Sequence, residues 1–221
     1  MIQFVEPSTM GCIIWKMYCK ENAMEKYFKE TIQILSDALK TIDDNVFEQL
    51  VDECYNTLKS GHKVIASGLG KNVPICDKFV GTMLSLGFNA GFLHTNSAVH
   101  GDMGMVKPGD LVIILTKSGS TAESVYLTDL LQQREGVVLW LLSFKKDSVL
   151  HKKIGNSLII EMDHEGDMWN IVPNNSTTLN LIVLQAVAMT LAQRFNLSLD
   201  DFKQNHPGGA IGVQLNNKQK K

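Results

Sequence analysis

The sequence lacks the features that mark several classes of protein. Only 7% of its 221 residues are aromatic, and its four cysteines contain no Cys-x-x-Cys pair. That spacing excludes a zinc finger and a disulfide framework, so reduced thiols are expected. No basic run interrupts the chain, and 21 Lys and Arg residues stand against 23 Asp and Glu residues. A nucleic acid is therefore excluded as the main partner.

Membrane and targeting signals are also missing. No basic segment precedes the first apolar run, so a signal peptide is not expected. The longest apolar stretch, 177–195, contains Thr177, Thr178, Asn180, Gln185 and Gln193, which favours a core or interface helix over a membrane span. We expect a soluble, cytoplasmic protein.

Composition and periodicity divide the chain into three parts. Residues 1–23 show no clear period and are interpreted as an N-terminal arm of uncertain status. Residues 24–216 form one predicted domain, which begins with two amphipathic helices, and residues 217–221 form a frayed tail. Asp43 or Asp44 is predicted to cap the second helix.

The central part alternates between strand and helix patterns. Helices are predicted over 74–86 and 121–133. Five short apolar runs are predicted strands: 63–67, 91–94, 111–116, 137–143 and 158–162. Because these runs are continuous rather than alternating, they fit strands buried on both faces of a parallel sheet. The pattern predicts a doubly wound α/β sandwich.

In such a fold, ligands bind beyond the carboxyl ends of the strands. The first strand is followed by Gly68, Gly70 and Lys71. This turn lacks the third glycine of a dinucleotide motif and does not match a phosphate-binding loop of the Walker type. No Gly-x-Ser-x-Gly motif is present either, so an α/β-hydrolase serine has no support.

The third strand leads into a stronger candidate, which we call the hydroxyl loop (residues 116–121). It carries four hydroxyls in six residues, on Thr116, Ser118, Ser120 and Thr121, around Gly119. Because it opens a predicted helix, its backbone N–H groups can bind a phosphate. Plain helix capping by Ser120 or Thr121 would need only one hydroxyl. Ser176 and Thr177 open a later helix in the same way and are candidates to close a ligand pocket or to cap the helix.

Five segments occur in the order found in sugar isomerase (SIS) domain proteins: GLGKN, HTNSAVHGDMGMVKPGD, TKSGSTAE, PNNSTT and NHPGGAIG. Over residues 40–214 the chain most resembles the arabinose 5-phosphate isomerase branch, in its short form without CBS modules. The resemblance implies a five-stranded parallel sheet in a three-layer αβα, flavodoxin-like sandwich. It also implies a homotetramer, or a dimer, with sites near subunit interfaces, and a reaction between D-ribulose 5-phosphate and D-arabinose 5-phosphate without a cofactor.

The resemblance also implies site residues. Glu123 matches the glutamate of the family's catalytic region and is the predicted general base, although the helix dipole alone would favour a carboxylate there. Lys71 is predicted to stabilise an enediolate or bind phosphate, unless it is an ordinary surface lysine. His100 and His206 match the family's two active-site histidines, and His206 is a candidate to complete the site of a neighbouring subunit.

Other features leave alternatives open. His94, His100 and Asp102 are weak candidates for a metal site, and no metal is expected to be required. Relatives have an asparagine at Lys117 and a glutamate at Ser120, which leaves the exact sugar open. The alternatives are an isomerase of another ketose phosphate and a non-catalytic sugar-phosphate-binding regulatory protein.

Overall fold

The computed structural model describes the backbone of residues 9–218 and the side chains of residues 24–215. The helices are α1 (Thr9–Leu39), α2 (Asp44–Lys59), α3 (Val73–Ser85), α4 (Ala122–Gln132), α5 (Val149–Lys153), α6 (Asn175–Arg194), α7 (Leu199–Gln204) and α8 (Gly209–Lys218). The strands are β1 (Val64–Gly68), β2 (Ala90–His94), β3 (Leu111–Thr116), β4 (Val138–Ser143) and β5 (Ser157–Ile159). Three short 3₁₀ turns lie at 70–72, 98–100 and 102–105.

The five strands form one parallel sheet in the order β2-β1-β3-β4-β5. This order and the helices on both faces confirm the predicted doubly wound, three-layer sandwich. Asp43 is the residue that caps α2, because its carboxylate accepts hydrogen bonds from the backbone N–H groups of Asn45 and Val46.

Each sheet face has its own hydrophobic core, and β3 contributes to both. Ile113 and Leu115 pack in the core that contains α2, α3 and α6, whereas Val112 and Ile114 pack in the core that contains α4 and α5. All six residues of β3 are buried. Because neither face meets water, the strand shows no polar alternation in its sequence.

Helix α6 lies against α1, α2 and α3 and is part of the first core. It is the one helix among the described residues with the length and apolar composition to cross a membrane. Nine of its residues are buried in the protein, including Leu179, Leu184 and Leu191. The core packing explains its apolar composition.

The structure differs from the sequence prediction at the carboxyl-terminal part of the sheet. The fifth strand is three residues long, and the basic stretch before it contains the short helix α5, which was not predicted. α7 and α8 were not predicted either. α1 continues across residue 23, so the boundary drawn there between the N-terminal arm and the domain does not coincide with the end of a helix. Residues 1–8 and 219–221 lie outside the described part of the chain.

Two of the four cysteines have described side chains. Cys54 and Cys76 are unpaired and buried. Burial raises the pKa of the Cys54 thiol and raises that of Cys76 to about 12. Both thiols are therefore protonated and unreactive near neutral pH.

Candidate functional site

A cleft of about 370 Å³ opens at the carboxyl ends of β1 and β3. These strands are neighbours, but α3 follows β1 on one face of the sheet and α4 follows β3 on the other. This divergence creates the crevice in which parallel α/β proteins bind ligands. The lining residues are Leu69, Gly70, Lys71, Asn72, Leu115, Thr116, Lys117, Ser118, Thr121, Ser124 and Pro173.

Three of the four hydroxyls in the hydroxyl loop line this cleft, on Thr116, Ser118 and Thr121. Ser120 instead lines a second cavity of about 690 Å³ on the other side of the loop. Thr121 is the N-cap residue of α4, yet its side chain makes no capping hydrogen bond. Its hydroxyl lies 3.4 Å from that of Ser118. The capping explanation therefore fails for Thr121, which leaves its hydroxyl available to a ligand.

Gly119 sets the shape of the hydroxyl loop. Its φ of +61° is a left-handed conformation that favours glycine, and a Cβ there would lie 2.6 Å from Cβ of Ser148, at the start of α5. Two hydrogen bonds within the loop stabilise this shape. The backbone N–H of Gly119 donates to the Thr116 hydroxyl at 3.3 Å, and that of Ser120 donates to the Ser118 hydroxyl at 3.3 Å.

The turn after β1 supplies the cation that the sequence predicts. Lys71 is exposed and lines the cleft together with Gly70. Gly68 ends the strand, and a Cβ on it would lie 2.8 Å from Cβ of Asn72. This close approach requires glycine and brings Asn72 into the cleft wall.

A buried amide pair connects this turn to two other elements. Asn180 of α6, which is 1% exposed, donates to the Asn72 side-chain oxygen at 3.0 Å. Asn72 in turn donates to the backbone carbonyl of Leu115 at 3.4 Å. The sequence prediction missed Asn180 as a site residue, although an amide inside an apolar helix is a signal of a buried polar contact.

The structure adds a carboxylate that was also missed. Glu165 lies in the loop before α6 and its side chain is fully buried. It accepts hydrogen bonds from the Ser176 hydroxyl at 2.6 Å, from the Ser176 N–H at 2.9 Å and from the Asn174 N–H at 3.1 Å. Its other contact is an ion pair with Lys117 of the hydroxyl loop, with 2.7 Å between Nζ and Oε1.

These contacts decide the charge of Glu165. Burial by itself raises the pKa of its carboxyl, but the hydrogen bonds from Lys117, Ser176 and Asn174 outweigh burial and hold that pKa below its ordinary value. The carboxylate is therefore ionised at neutral pH and fixes Lys117 and the start of α6 together. No local sequence pattern points to this contact, because 48 residues separate Lys117 from Glu165.

Ser176 and Thr177 do not line the cleft, although both were predicted to bind substrate. The Ser176 hydroxyl donates to Glu165, and the residue is only 2% exposed. The Thr177 hydroxyl donates to the backbone carbonyl of Asn174 at 2.9 Å. Pro173 is the residue of this segment that reaches the cleft.

Two predicted catalytic residues also lie outside the cleft lining. Glu123 is in the first turn of α4, between two lining residues, and its side chain is exposed. His100 is exposed in the 3₁₀ turn that follows β2. A single chain therefore brings Lys71 and the hydroxyl loop together but does not bring these two side chains to the cleft.

His206 lies at the opposite end of α3 from the cleft. Its Nε2 is 2.8 Å from the Ser85 hydroxyl, and its Nδ1 is 2.8 Å from the carbonyl oxygen of Phe202. Because a carbonyl only accepts, Nδ1 donates to Phe202, and in a neutral imidazole Nε2 then accepts from Ser85. Ser85 ends the 13-residue helix whose first turn borders the cleft, so about 20 Å separates His206 from the cleft of its own chain.

The metal candidates do not assemble. Within residues 24–215, no three His, Cys, Asp or Glu side chains form a group that could hold a metal ion. His94 ends β2, and its Nδ1 accepts from the N–H of Asn96 at 3.2 Å. The side chains of His94, His100 and Asp102 therefore do not form the metal site for which they were weak candidates.

Known proteins resemble this chain over most of its length. The SIS domain family matches residues 57–190. Arabinose 5-phosphate isomerase KdsD of Pseudomonas aeruginosa is 33% identical over 187 residues, and KdsD of Yersinia pestis is 32% identical over the same length. Each match covers 85% of this chain but 57% of the relative, so the chain spans little more than half of these proteins.

A solved structure supports the same likeness. An Escherichia coli CFT073 protein in complex with arabinose 5-phosphate is 28% identical to this chain and matches with a TM-score of 0.78. The match covers 86% of this chain and 98% of that protein.

Proposed function

Because the chain belongs to the SIS domain family, we propose that it is a phosphosugar aldose–ketose isomerase. The main support for this proposal is that the hydroxyl loop and Lys71 line the same cleft at the carboxyl ends of β1 and β3. Among such reactions, we propose the interconversion of D-ribulose 5-phosphate and D-arabinose 5-phosphate. The names of the KdsD relatives and the sugar phosphate bound in the Escherichia coli structure support this choice.

The hydroxyl loop is suited to hold the phosphate. Thr116, Ser118 and Thr121 present hydroxyl groups to the cleft at the start of α4. The N-terminus of a helix carries partial positive charge, which favours an anion. Anchoring the phosphate would fix the position of the sugar's reacting carbons.

Isomerisation moves one proton between C1 and C2 of the sugar. A base removes a C1 proton of the ketose, and an enediolate forms with charge on the C2 oxygen. A proton then passes from the C1 hydroxyl to the C2 oxygen, and the base returns its proton to C2, which leaves the C1 carbonyl of the aldose. Lys71 would stabilise that oxygen, because this lysine lines the same cleft. The reaction balances without an external oxidant or reductant.

We assign the role of base to Glu123. Within residues 24–215, no hydrogen bond or ion pair holds its exposed carboxylate, so a substrate can approach it. Glu165 is a less suitable base, because Lys117 and the start of α6 occupy its oxygen atoms and lower its pKa. The assignment requires Glu123 to reach the substrate in the assembled enzyme.

His100 and His206 would open the cyclic sugar or carry protons, since an imidazole ring has one nitrogen that donates and one that accepts a proton. The distance between His206 and the cleft of its own chain favours a site shared between subunits. We therefore propose that the protein assembles as a homotetramer or a dimer. We also propose that it acts in the cytoplasm.

A second function is a non-catalytic sugar-phosphate sensor. One observation favours it: among the described residues, neither a carboxylate nor a histidine lines the cleft. Such a cleft would bind a phosphosugar without converting it.

One assay separates the two functions. Purified protein is incubated with D-ribulose 5-phosphate, and the formation of D-arabinose 5-phosphate is followed. Turnover supports the isomerase. Phosphosugar binding without turnover, measured as a shift in melting temperature, would favour the sensor instead.

The Glu123→Gln variant tests the base. We expect kcat to fall by about 100-fold or more while the binding of substrate changes little, because a general base contributes roughly that factor. Glu135→Gln is the matched control, since Glu135 is an exposed carboxylate just beyond the same helix. An unchanged kcat in Glu123→Gln would remove Glu123 as the base.

A further inference from the structure

Lys117 lies in the wall between two cavities. It lines the 370 Å³ cleft and also the larger 690 Å³ cavity on the other side of the hydroxyl loop. Its side chain is 46% exposed. The Lys117 side chain is therefore half-exposed, while its ammonium group contacts a fully buried carboxylate, Glu165.

Both ends of Lys117 are held in place. Its backbone carbonyl accepts hydrogen bonds from the Ser143 hydroxyl and from the Phe144 N–H, both at 3.3 Å. Its Nζ is 2.7 Å from Oε1 of Glu165. An ammonium group has three donors, so a single contact with Glu165 leaves two of them for other partners.

Glu165 is itself immobilised. Oε2 accepts from the N–H groups of Asn174 and Ser176, and Oε1 accepts from the Ser176 hydroxyl. These contacts belong to the start of α6, a helix of the first core. An ordinary surface lysine samples many rotamers, whereas the Lys117 ammonium has a rigid partner that limits its position.

We propose that Lys117 binds the phosphate group of the substrate in the 370 Å³ cleft and that Glu165 is its positioning residue. The inference deepens the proposed function and rests on it for the sugar-phosphate class of ligand. The Lys117 ammonium adds a charged donor, partly compensated by Glu165, to a loop whose other donors are hydroxyls and backbone N–H groups. The cleft thereby selects phosphorylated sugars over neutral sugars by charge as well as by hydrogen bonding.

Direct binding of inorganic phosphate tests this without any turnover. Isothermal titration of the full chain gives the Kd for phosphate in the wild type and in Lys117→Met and Lys117→Arg. We expect the Kd to rise about tenfold in Lys117→Met, because a charge-assisted hydrogen bond is lost, and to be largely restored in Lys117→Arg. Lys146→Met is the matched control, since this exposed lysine lines the second cavity alone. It should stay within about twofold of the wild type.

Glu165→Gln tests the positioning role. If Glu165 holds the ammonium group in place, the Kd for phosphate rises about threefold, because the held geometry is lost while the charge of Lys117 remains. Tighter phosphate binding in Glu165→Gln would mean that Glu165 quenches the charge of Lys117, and it would overturn the positioning role. Melting curves of each variant verify that the fold is intact before titration.

Kinetics with the sugar phosphate complete the test. In Lys117→Met we expect KM to rise about tenfold with a much smaller change in kcat, the pattern of lost uniform binding. An unchanged phosphate Kd and KM in Lys117→Met would overturn the inference even if the wild type is an isomerase. Conversely, Lys117-dependent phosphate binding in a wild-type protein without turnover would overturn the proposed isomerase and leave the phosphate contact standing.

Discussion

At the scale of single residues, the site depends on side chains that are fixed by distant parts of the chain. Lys117 is held by Glu165, and Asn72 is held by Asn180. The spacing of hydroxyls in 116–121 is visible in the sequence, and so is the lysine after Gly70. The partners that fix Lys117 and Asn72 are not, because only the packing of α6 against the sheet brings them close.

The Glu165 carboxylate also stabilises the fold, with a defined dependence on pH. Its pKa in the folded protein lies below the ordinary value of 4.5. The stabilisation is therefore complete above about pH 4.5 and is lost as the pH falls through the lower pKa of the folded state. At pH 7 we expect Glu165→Gln to lower the free energy of unfolding by about 2 kcal/mol, since a buried carboxylate loses its ion pair and its hydrogen bonds are weakened.

Urea unfolding at pH 7 and at about pH 3.5 measures this effect. The difference between wild type and Glu165→Gln should shrink at the lower pH. Glu161→Gln is the control, because Glu161 is an exposed carboxylate in the same segment. A difference that is equal at both values of pH would show that Glu165 stabilises the fold by packing and not by charge.

At the scale of secondary structure, α6 holds two parts of the site in place. It supplies Asn180 to the turn after β1 and offers its first N–H groups to Glu165. Asn174, the residue before α6, makes no side-chain capping bond to the helix, and Glu165 takes that role from a preceding loop. The helix therefore connects the turn after β1 with the hydroxyl loop.

Replacing Asn180 by alanine should loosen the turn after β1. Asn72 would lose its partner, and we expect the free energy of unfolding to fall by about 1 kcal/mol. Faster hydrogen exchange at the amides of 70–72 is the specific signature, measured by mass spectrometry. Gln193→Ala is the control, because Gln193 is exposed near the end of the same helix. Unchanged exchange at 70–72 would show that Asn72 does not need Asn180.

At the scale of the whole molecule, the candidate catalytic groups are split between two ends of α3. Lys71 lies at the start of this helix, and His206 lies beside Ser85 at its end. No movement of one side chain closes a gap of about 20 Å. If both residues serve one reaction, then two chains must meet so that His206 of one approaches the cleft of the other.

Mixed assemblies test such a shared site. Glu123→Gln and His206→Asn are each expected to be nearly inactive, and we expect activity to reappear when the two variants are unfolded and refolded together. A mixed assembly would contain sites with neither substitution. The control mixture is Glu123→Gln with Lys71→Met, which affect the same end of one chain and should not recover. Equal recovery in both mixtures, or in neither, would contradict a site shared in this way.

The sequence by itself determined the fold class and pointed to the hydroxyl loop as a candidate site. Continuous apolar runs at regular spacing specify strands buried on both faces, and four hydroxyls around Gly119 predict an anion site at a helix start. These are local patterns, and the structure places β1 to β4 within one residue of their predicted bounds. The helices α5 and α7 were missed because five or six residues are too few to show a helical period. The ten residues of α8 include two glycines and two asparagines, which are poor helix formers.

Only the tertiary structure decided which side chains share a site. It united Lys71, the hydroxyl loop and Lys117, added Glu165 and Asn180 behind them, and placed Ser176 under the cleft wall and His206 at the far end of α3. Contacts between residues far apart in the chain depend on how helices cross the sheet, and that geometry leaves no periodic trace in the sequence. The near-neutral charge is consistent with our proposal that the cleft receives an anion through hydroxyls, backbone N–H groups and two lysines.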